Sequence, residues 1–280
     1  MRDLSKLVLG TVQFGLQYGI NSAGRPSIEQ VSDILNNAKT GGILILDTSS
    51  AYGNAEEVLG YVKAGESFKI VSKYSECDKS VAETFGNSLK FFSTEHLYGY
   101  LLHHFEAYRE NKSIWNDFVQ LQQEGKVDRI GFSLYEPWEL DLILKDGIPF
   151  SLIQVPYNIF DRQFEPYFKQ LKEMGVEIHV RSTFLQGLFF KDRETLPEKL
   201  QPLKKYLIQL DEYAASKGIS VGDLALNYNL HNPYIDGVLI GVDNKEQLLQ
   251  NFASVKDIEI NPDIKVEELE LLKPVNWKYS

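Results

Sequence analysis

Four residue types that can work together in proton transfer stand at the ends of successive apolar runs. Asp47 lies near the end of the run ILILDT, and Tyr52 follows it five residues later in a turn that contains Gly53. Lys73 closes the next apolar run, FKIVSK, and His103 follows the run LYGYLL after that. If these runs are parallel strands of one barrel, their carboxyl ends lie at one mouth, where the four side chains would meet.

Such a group could protonate a carbonyl oxygen. A free tyrosine has a pKa of about 10, and a nearby ammonium lowers that pKa because it favours the phenolate. Lys73 can supply this charge if the Asp47 carboxylate keeps it protonated, and a histidine can orient the substrate oxygen. We therefore expect Tyr52 to act as a general acid in the reduction of an aldehyde or ketone. The hydride must come from a cofactor, since no side chain supplies one.

Apolar runs that alternate with helical patterns predict the scaffold for these residues. Eight runs rich in Val, Ile, Leu and Tyr indicate buried parallel strands, at 7–12, 43–48, 68–73, 97–104, 129–134, 151–157, 177–183 and 237–241. Between them lie helical segments, such as the one from Ser27, a candidate N-cap, to Gly41, a candidate stop. This alternation predicts an α/β fold, a single-domain (β/α)8 TIM barrel over residues 1–280. A doubly wound open sheet is the alternative.

Two other segments complete the expected fold. The connection from Phe184 to about Leu200 is too long for a tight βα turn and predicts a functional loop or lid. The tail from Val266 onward predicts one amphipathic helix followed by an extended end.

The composition argues against several classes of function. The 280 residues carry a formal net charge of -10 with scattered lysines, which argues against a nucleic-acid partner. The single cysteine, Cys77, can form no intramolecular disulfide, and the first residues do not resemble a signal peptide. No apolar run is long enough to span a membrane, and no histidine pattern indicates a metal site. We expect a cytoplasmic protein without membrane, nucleic-acid or metal partners; the sequence does not indicate the oligomeric state.

Ordered blocks along nearly the whole chain resemble the aldo-keto reductase family. They are LGTVQFG, LDTSSAYGNAEEVLG, VSKY, YLLHH, GKVDRIGFS, IQVPYN and LIGVDNKEQLLQN, of which the second is the most specific. The resemblance implies a TIM barrel that binds a nicotinamide dinucleotide in extended form across its strand ends. In agreement, no G-x-G-x-x-G segment follows any of the predicted strands.

The resemblance also implies roles for particular residues. Tyr52 resembles the proton donor of the family, with an activating pair and an orienting histidine at Asp47, Lys73 and His103. Coenzyme contacts are implied for Thr11 in the first block, for Ser133 and Gln154 at the carboxamide, for Arg181 at the nicotinamide ring, and for Lys245, Gln247 and Asn251 at the adenosine end. Taken singly, each residue also fits an ordinary structural role. The functional interpretation depends on their occurrence together and in the family's order.

Three departures from the family pattern bear on the coenzyme. Leu134 stands where Asn often provides a further amide ligand. Arg181 replaces an aromatic residue; its guanidinium plane can stack on the nicotinamide ring, and its charge would favour the reduced coenzyme. Asp243 and Gln247 stand where members that prefer NADPH often present cations, and only Lys245 supplies one in that loop. NADPH is the expected coenzyme and NADH the alternative.

Three functions remain open. The leading one is NAD(P)H-dependent reduction of a small-molecule aldehyde or ketone, or the reverse oxidation. The second is a nucleotide-sensing or partner-binding protein on the same fold with slow or no turnover. The third is a lyase that uses Lys73 as a Schiff base, which the nearby Asp47 and Tyr52 disfavour. A polyol or sugar-like carbonyl suits the polar and aromatic residues of the predicted substrate loops, which are Gln13, Gln17, Tyr18, His104, Phe105, Phe184 and Gln186.

Overall fold

Eight parallel β-strands close into a barrel in the computed structural model, which describes residues 4–20, 24–75, 78–258 and 260–277. Each strand pairs with the next one in the chain, and the last pairs with the first. The strands are β1 Leu7–Gly10, β2 Ile45–Asp47, β3 Lys69–Tyr74, β4 Leu97–Leu102, β5 Val127–Ser133, β6 Leu152–Pro156, β7 Glu177–Arg181 and β8 Gly237–Gly241. The closed sheet confirms the predicted TIM barrel and rules out the doubly wound open sheet.

Helices lie between the strands, as their periodicity predicts. In the described ranges the α-helices are α1 Val12–Gly15, α2 Ile28–Gly41, α3 Ala55–Tyr61, α4 Val81–Phe92, α5 Phe105–Glu110, α6 Ile114–Gln123, α7 Pro137–Asp146, α8 Phe168–Glu173, α9 Lys204–Ser216, α10 Val221–Leu230 and α11 Lys245–Ser254. The Ser27 hydroxyl accepts a hydrogen bond from the Gln30 backbone N–H at 3.2 Å, which confirms the predicted N-cap of α2. Helix α2 includes Gly41 and stops at Gly42, which takes the left-handed conformation at φ 92°.

Apolar side chains fill the layer between the strands and the helices. Trp115 of α6 stacks on Phe132 of β5, with ring centroids 4.1 Å apart and an interplanar angle of 12°. The indole nitrogen of Trp115 donates to the carbonyl oxygen of Pro149 at 2.9 Å, so its one polar atom is satisfied. This packing holds α6 against β5, so the role of Trp115 is structural.

The barrel interior changes from apolar to polar toward its carboxyl end. Val71, Leu101 and Leu152 form a small buried cluster, and it lies inside the barrel because β3 and β6 are not neighbours in the sheet. Lys73 and Gln154 lie two positions further along the same strands. Side chains two positions apart share a face of a strand, so both residues point into the barrel, one layer closer to its mouth.

The long connection after β7 packs against α9 and α10. It forms successive 3-10 turns, at Leu185–Phe190, Arg193–Thr195 and Glu198–Leu203. Leu188, Phe189 and Leu200 from these turns are buried together with Leu207 and Leu210 of α9. The connection is thus anchored by its own apolar side chains, and its first turn, beside the barrel mouth, contains left-handed residues at Leu185 and Gln186.

The prediction of one amphipathic helix in the tail is wrong. The tail instead forms short 3-10 turns at Leu269–Leu272 and Pro274–Asn276. Pro274 lacks an N–H and disfavours helical geometry in the residue before it, so a continuous α-helix cannot form. Trp277 is buried nearby and donates through Nε1 to the carbonyl oxygen of Leu271 at 2.8 Å. Cys77 lies outside the described residues.

A carboxylate network closes the end of the barrel opposite the polar layer. Glu177 begins β7; its Oε1 accepts from His179 Nε2 at 2.8 Å, and its Oε2 accepts from the Tyr98 hydroxyl at 2.6 Å. Arg129 Nε lies 3.4 Å from the same Oε2. Burial alone would raise the pKa of Glu177, but these contacts outweigh burial and lower the pKa to about 2. The ionised carboxylate therefore ties β7 to two other strands.

Replacing Glu177 with Gln is expected to change how stability depends on pH. The folded pKa of about 2 lies below the unfolded pKa of about 4.3. The carboxylate therefore stabilises the fold fully above the unfolded pKa and loses its contribution as the pH falls toward 2. We expect Glu177→Gln to lower the free energy of unfolding by about 2 kcal/mol at neutral pH. This is less than the full pKa shift would give, because solvent reaches part of the carboxylate. Urea unfolding at a series of pH values measures this difference.

The control for this experiment is Glu173→Gln, since the Glu173 side chain is 67% exposed in a loose pair with Lys169. That variant should follow the wild type at every pH. A loss in Glu177→Gln that stayed constant from neutral pH to about pH 2 would contradict the proposed role of the ionised carboxylate.

Candidate active site

A buried ion pair joins two of the polar residues that the sequence places at strand ends. Lys73 is fully buried, and its Nζ donates to Asp47 Oδ1 at 2.6 Å and to the Thr48 carbonyl oxygen at 2.8 Å. From the far side of the barrel, Gln154 Nε2 donates to Asp47 Oδ2 at 2.7 Å. Burial lowers the pKa of Lys73, and the Asp47 carboxylate opposes that shift. With Lys73 on Oδ1 and Gln154 on Oδ2, both carboxylate oxygens of Asp47 are hydrogen-bonded, as a buried charge requires.

The turn after β2 carries Tyr52 to this ion pair. The Ser50 hydroxyl donates to the carbonyl oxygen of Lys73 at 3.1 Å, and the Tyr52 N–H donates to that of Ser49 at 3.0 Å. Helix α1 ends directly against the turn: a Cβ atom on Gly15 would lie 1.7 Å from the Tyr52 carbonyl oxygen. Only a residue without a side chain permits this approach, so Gly15 helps to fix where the phenol stands.

The phenol of Tyr52 lies near the lysine and remains protonated. Lys73 Nζ is 5.1 Å from the centroid of the Tyr52 ring. Burial raises the pKa of Tyr52, and the Asp47 carboxylate raises it further. The expectation of a lowered pKa is therefore wrong for the arrangement seen here, because desolvation and the carboxylate raise it. Tyr52 is a neutral phenol at neutral pH, which is the form that a proton donor needs.

His103 completes the group from the end of β4. Its Nδ1 lies 3.0 Å from the Ser49 hydroxyl oxygen and 2.6 Å from that of Ser75, and its ring meets the Tyr52 ring edge-on at 5.7 Å. Burial lowers the pKa of His103 to about 2, with the neighbouring lysine and His104 adding to the shift. The imidazole is therefore neutral. When Nδ1 accepts a hydrogen bond from one of these hydroxyls, the ring proton resides on Nε2, which can then donate to a substrate oxygen.

The residues predicted to hold the nicotinamide end lie at the ends of β5, β6 and β7. Ser133 and Gln154 are paired in the register of β5 and β6, and both are buried. The amide nitrogen of Gln154 is committed to Asp47, as described above. Arg181 ends β7, and its guanidinium carbon lies 4.1 Å from the centroid of the Tyr135 ring. Thr11, after β1, donates its hydroxyl hydrogen to the Asp47 carbonyl oxygen at 3.0 Å.

The residues predicted for the adenosine end share one short helix, α11, after β8. Gln247 Oε1 accepts from the Asp243 backbone N–H at 2.7 Å, so this side chain shapes the start of the helix. Lys245 Nζ lies 3.8 Å from an Asp33 carboxylate oxygen of α2, a long contact between partly exposed side chains. Asn251 lies on the same helix and is partly exposed. All three residues belong to the helix that follows the carboxyl end of β8.

Comparison with known proteins places the chain in a family. The profile of the Aldo/keto reductase family matches residues 6–266. The chain belongs to this family. It covers 90% of the length of YrpG, an uncharacterized oxidoreductase of Bacillus subtilis (strain 168), with 94% of this chain aligned and 24% identity.

Two further proteins show how far the likeness extends. Glyoxal reductase of Bacillus subtilis (strain 168) is 27% identical, and the alignment covers 75% of this chain and 77% of that protein. The holo form of aldo-keto reductase AKR11C1 from Bacillus halodurans superposes with a TM-score of 0.73 at 24% identity, over 91% of this chain and 88% of that chain. The structural likeness supports the fold, and the family match supports an oxidoreductase that acts on carbonyl compounds.

Within this aldo/keto reductase, several contacts around the site were not anticipated from the sequence. The missed partners are the Thr48 carbonyl oxygen on Lys73, the hydroxyls of Ser49 and Ser75 on His103, and the ring of Tyr135 beneath Arg181. Ser49, Ser75 and Tyr135 all lie within two residues of a strand end, so the strand-end rule that identified Asp47 also applied to them. Nothing in the sequence around Tyr135, however, indicates a stacked guanidinium.

The described residues carry neither a membrane-spanning helix nor a metal-binding group. None of the helices there is both long and apolar enough to cross a membrane. The same part of the chain shows no group of three or more His, Cys, Asp or Glu side chains arranged to hold a metal ion.

Lys73→Met is expected to be strongly destabilising. The substitution leaves the Asp47 carboxylate buried without its cation, which typically costs about 3 to 5 kcal/mol in the free energy of unfolding. The double variant Asp47→Asn with Lys73→Met should recover most of that loss, since no unpaired charge remains. Urea unfolding of the wild type, both single variants and the double variant gives the coupling energy.

Lys126→Met is the matched control, because Lys126 pairs with Glu124 at 2.7 Å in solvent. Its free energy of unfolding should change by less than about 1 kcal/mol. If the double variant were as unstable as the sum of the two single variants, the pair would not be coupled and this account of the ion pair would fail.

Proposed function

We propose that the protein is an NAD(P)H-dependent reductase that converts an aldehyde or ketone to an alcohol, with Tyr52 as the proton donor. The observation that supports this proposal most directly is the meeting of a neutral phenol, a buried ion pair and a neutral imidazole at one mouth of the barrel. The phenol ring lies 5.1 Å from Lys73 Nζ and 5.7 Å from the His103 ring centroid. This combination suits proton delivery to an oxygen that gains negative charge.

A nicotinamide coenzyme held by Ser133 and Gln154 would supply the hydride for the carbonyl carbon. As negative charge develops on the carbonyl oxygen, the Tyr52 hydroxyl gives it a proton and becomes a phenolate. The ammonium of Lys73 lies close enough to stabilise that phenolate, although in the resting site it does not ionise the phenol. His103, neutral and oriented by two serine hydroxyls, would donate from Nε2 to the same substrate oxygen. Each group thus acts more strongly on the transition state than on the ground state.

NADPH is the proposed coenzyme, and NADH is the alternative. Ser133 and Gln154, at the paired ends of β5 and β6, would hold the carboxamide of the nicotinamide. At the other end, Lys245 is available to a 2'-phosphate, since its contact with Asp33 is long and partly exposed. Asp243 in the same turn disfavours a phosphate and could instead accept hydrogen bonds from ribose hydroxyls. Parallel titrations with NADPH and NADH measure which of these effects prevails.

The loops at the mouth favour a polar carbonyl substrate. Gln186 Nε2 donates to the Tyr18 hydroxyl at 2.6 Å, so the loop after β7 is joined to the loop after β1. The Ile20 N–H also donates to the Gln186 carbonyl oxygen at 3.2 Å. His104, the next residue after His103 in the loop after β4, stacks on it with ring centroids 4.6 Å apart. Amide, phenol and imidazole groups in these loops suit the hydroxyl groups of a sugar-like carbonyl better than an apolar ligand.

Tyr52→Phe is expected to abolish carbonyl reduction while coenzyme binding survives. The substitution keeps the ring and removes only the hydroxyl that would donate the proton. We therefore expect kcat to fall by about a hundredfold or more. Turnover of an aldehyde panel that includes sugar-like aldehydes, followed through NADPH absorbance, measures the loss, and NADPH fluorescence measures binding. Tyr61→Phe, at a ring that is 74% exposed, is the control and should match the wild type.

Two results would contradict the proposal in different ways. Wild-type turnover in Tyr52→Phe would remove Tyr52 from the mechanism. Tight coenzyme binding by the wild type without turnover of any aldehyde or ketone would favour the nucleotide-sensing alternative instead.

The pH dependence of kcat/KM should carry no contribution from His103. Because its pKa is lowered to about 2, the imidazole stays neutral throughout the range from about pH 4 to pH 9. We expect His103→Gln to lower kcat/KM without removing any inflection from the wild-type profile. An inflection between pH 6 and 7 that vanished in His103→Gln but persisted in His104→Gln would show that His103 titrates in that range.

A further inference from the structure

Glu56 is a buried carboxylate that the proposed reaction does not use. It lies on α3, shortly after Tyr52 in the chain, and is 5% exposed. Its Oε1 accepts from the Ser72 hydroxyl of β3 at 2.5 Å, and the Ser88 hydroxyl of α4 lies 2.9 Å from Oε1 and 3.1 Å from Oε2. Burying a carboxylate and hydroxyls costs free energy that apolar side chains would not incur. The cluster of Glu56, Ser72 and Ser88 therefore calls for an explanation beyond packing.

The Glu56 cluster attaches the chain after Tyr52 to β3, at Ser72, which directly precedes Lys73 on that strand. Before Tyr52, the Ser50 N–H and hydroxyl both donate to the Lys73 carbonyl oxygen, at 3.3 Å and 3.1 Å. The segment 50–56, which contains Tyr52, is thus tied at both ends to two consecutive residues of one strand. That strand is the one that carries the buried lysine.

Helix α4 holds the same carboxylate from a second direction. A Cβ atom on Gly60 of α3 would lie 1.9 Å from the Phe91 carbonyl oxygen of α4, so the backbones of the two helices are in contact. Ser88 donates to Glu56 from this helix, whereas Ser72 donates from the strand. The start of α3 is therefore fixed against both neighbouring elements by hydrogen bonds that have a direction.

The place of the phenol relative to Lys73 matters to the proposed reaction. The phenolate forms beside the ammonium, and the Tyr52 ring centroid lies 5.1 Å from Lys73 Nζ. In a buried site little water screens this attraction, so it depends steeply on the separation of the two groups. A displacement of about 1 Å at a reacting group can cost about a hundredfold in rate.

We infer that Glu56 is a positioning residue, which holds Tyr52 at its working distance from Lys73 by tying α3 to β3 and α4. This inference rests on the proposed function. Glu56 acts through the segment 50–56 and takes no part in proton or hydride transfer. Hydrophobic contacts have no direction, so an apolar cluster of the same volume would hold the helix against the barrel without fixing its register.

Three variants of the full chain separate positioning from stability. Glu56→Leu removes the acceptor and leaves two buried hydroxyls without it, so the free energy of unfolding should fall. The triple variant, Glu56→Leu with Ser72→Ala and Ser88→Ala, removes those hydroxyls as well and should recover most of the lost stability. Glu56→Gln keeps an amide oxygen that can accept from one hydroxyl.

We expect Glu56→Leu to lower kcat by about tenfold or more, because the phenol shifts from its working position. The dissociation constant for NADPH should stay unchanged, since the residues proposed to hold it lie on β5, β6 and α11. The triple variant should keep the low kcat in spite of its recovered stability, and Glu56→Gln should lie between Glu56→Leu and the wild type. NADPH absorbance gives kcat at a temperature at which circular dichroism shows every variant to be folded. NADPH fluorescence gives binding, and urea unfolding gives stability.

The matched control is Glu57→Leu. Glu57 is the next residue on α3, and its side chain is exposed. Its kcat and its free energy of unfolding should match those of the wild type.

The outcomes separate this inference from the proposed function. Wild-type kcat in Glu56→Leu, or a kcat that recovers together with stability in the triple variant, would refute the positioning role. A triple variant as unstable as Glu56→Leu would show that the unpaired hydroxyls do not cause the loss, which also contradicts this account of the cluster. If the wild type bound NADPH but reduced no carbonyl compound, the proposed function itself would fail.

Discussion

The buried pair of Lys73 and Asp47 is the interaction on which the arrangement of the site depends. Removing two charges from water costs several kcal/mol for each ion, and a contact of 2.6 Å offsets that cost only when the remaining polar atoms are also bound. Thr48 supplies a carbonyl oxygen to the lysine, and Gln154 supplies an amide N–H to the carboxylate. The pair therefore requires that β2, β3 and β6 meet around one interior layer, which only the closed barrel provides.

The same burial sets the protonation states of the neighbouring groups. Desolvation favours the neutral form of any titratable side chain, so Tyr52 remains a phenol and His103 a neutral imidazole. The carboxylate of Asp47 adds to the effect on the phenol, and the ammonium of Lys73 adds to the effect on the imidazole. Both groups are therefore in their neutral forms around one buried ion pair.

Fixed charge is distributed unevenly around the mouth. Lys73 is neutralised by Asp47, whereas Arg181 on the opposite wall has an aromatic ring and a carbonyl oxygen as its neighbours. A paired cation can stabilise a phenolate that forms beside it without disturbing a neutral ligand. An unpaired cation, by contrast, keeps its full charge within the site.

The sequence alone determined the fold class and the four residues of the Asp47 group. Both follow from local periodicity, because strand and helix patterns repeat within a few residues and parallel strands bring their carboxyl ends to one mouth. Only the tertiary structure decided that Gln154 binds Asp47 across the barrel, that Tyr135 supports Arg181, and that the pKa of Tyr52 rises. These features depend on which distant strands face each other and on how much water is excluded, and neither is written in the spacing of residues along the chain. The helix predicted for the tail fails for a local reason. The apolar pattern of the tail favours a helix, but Pro274 prevents it.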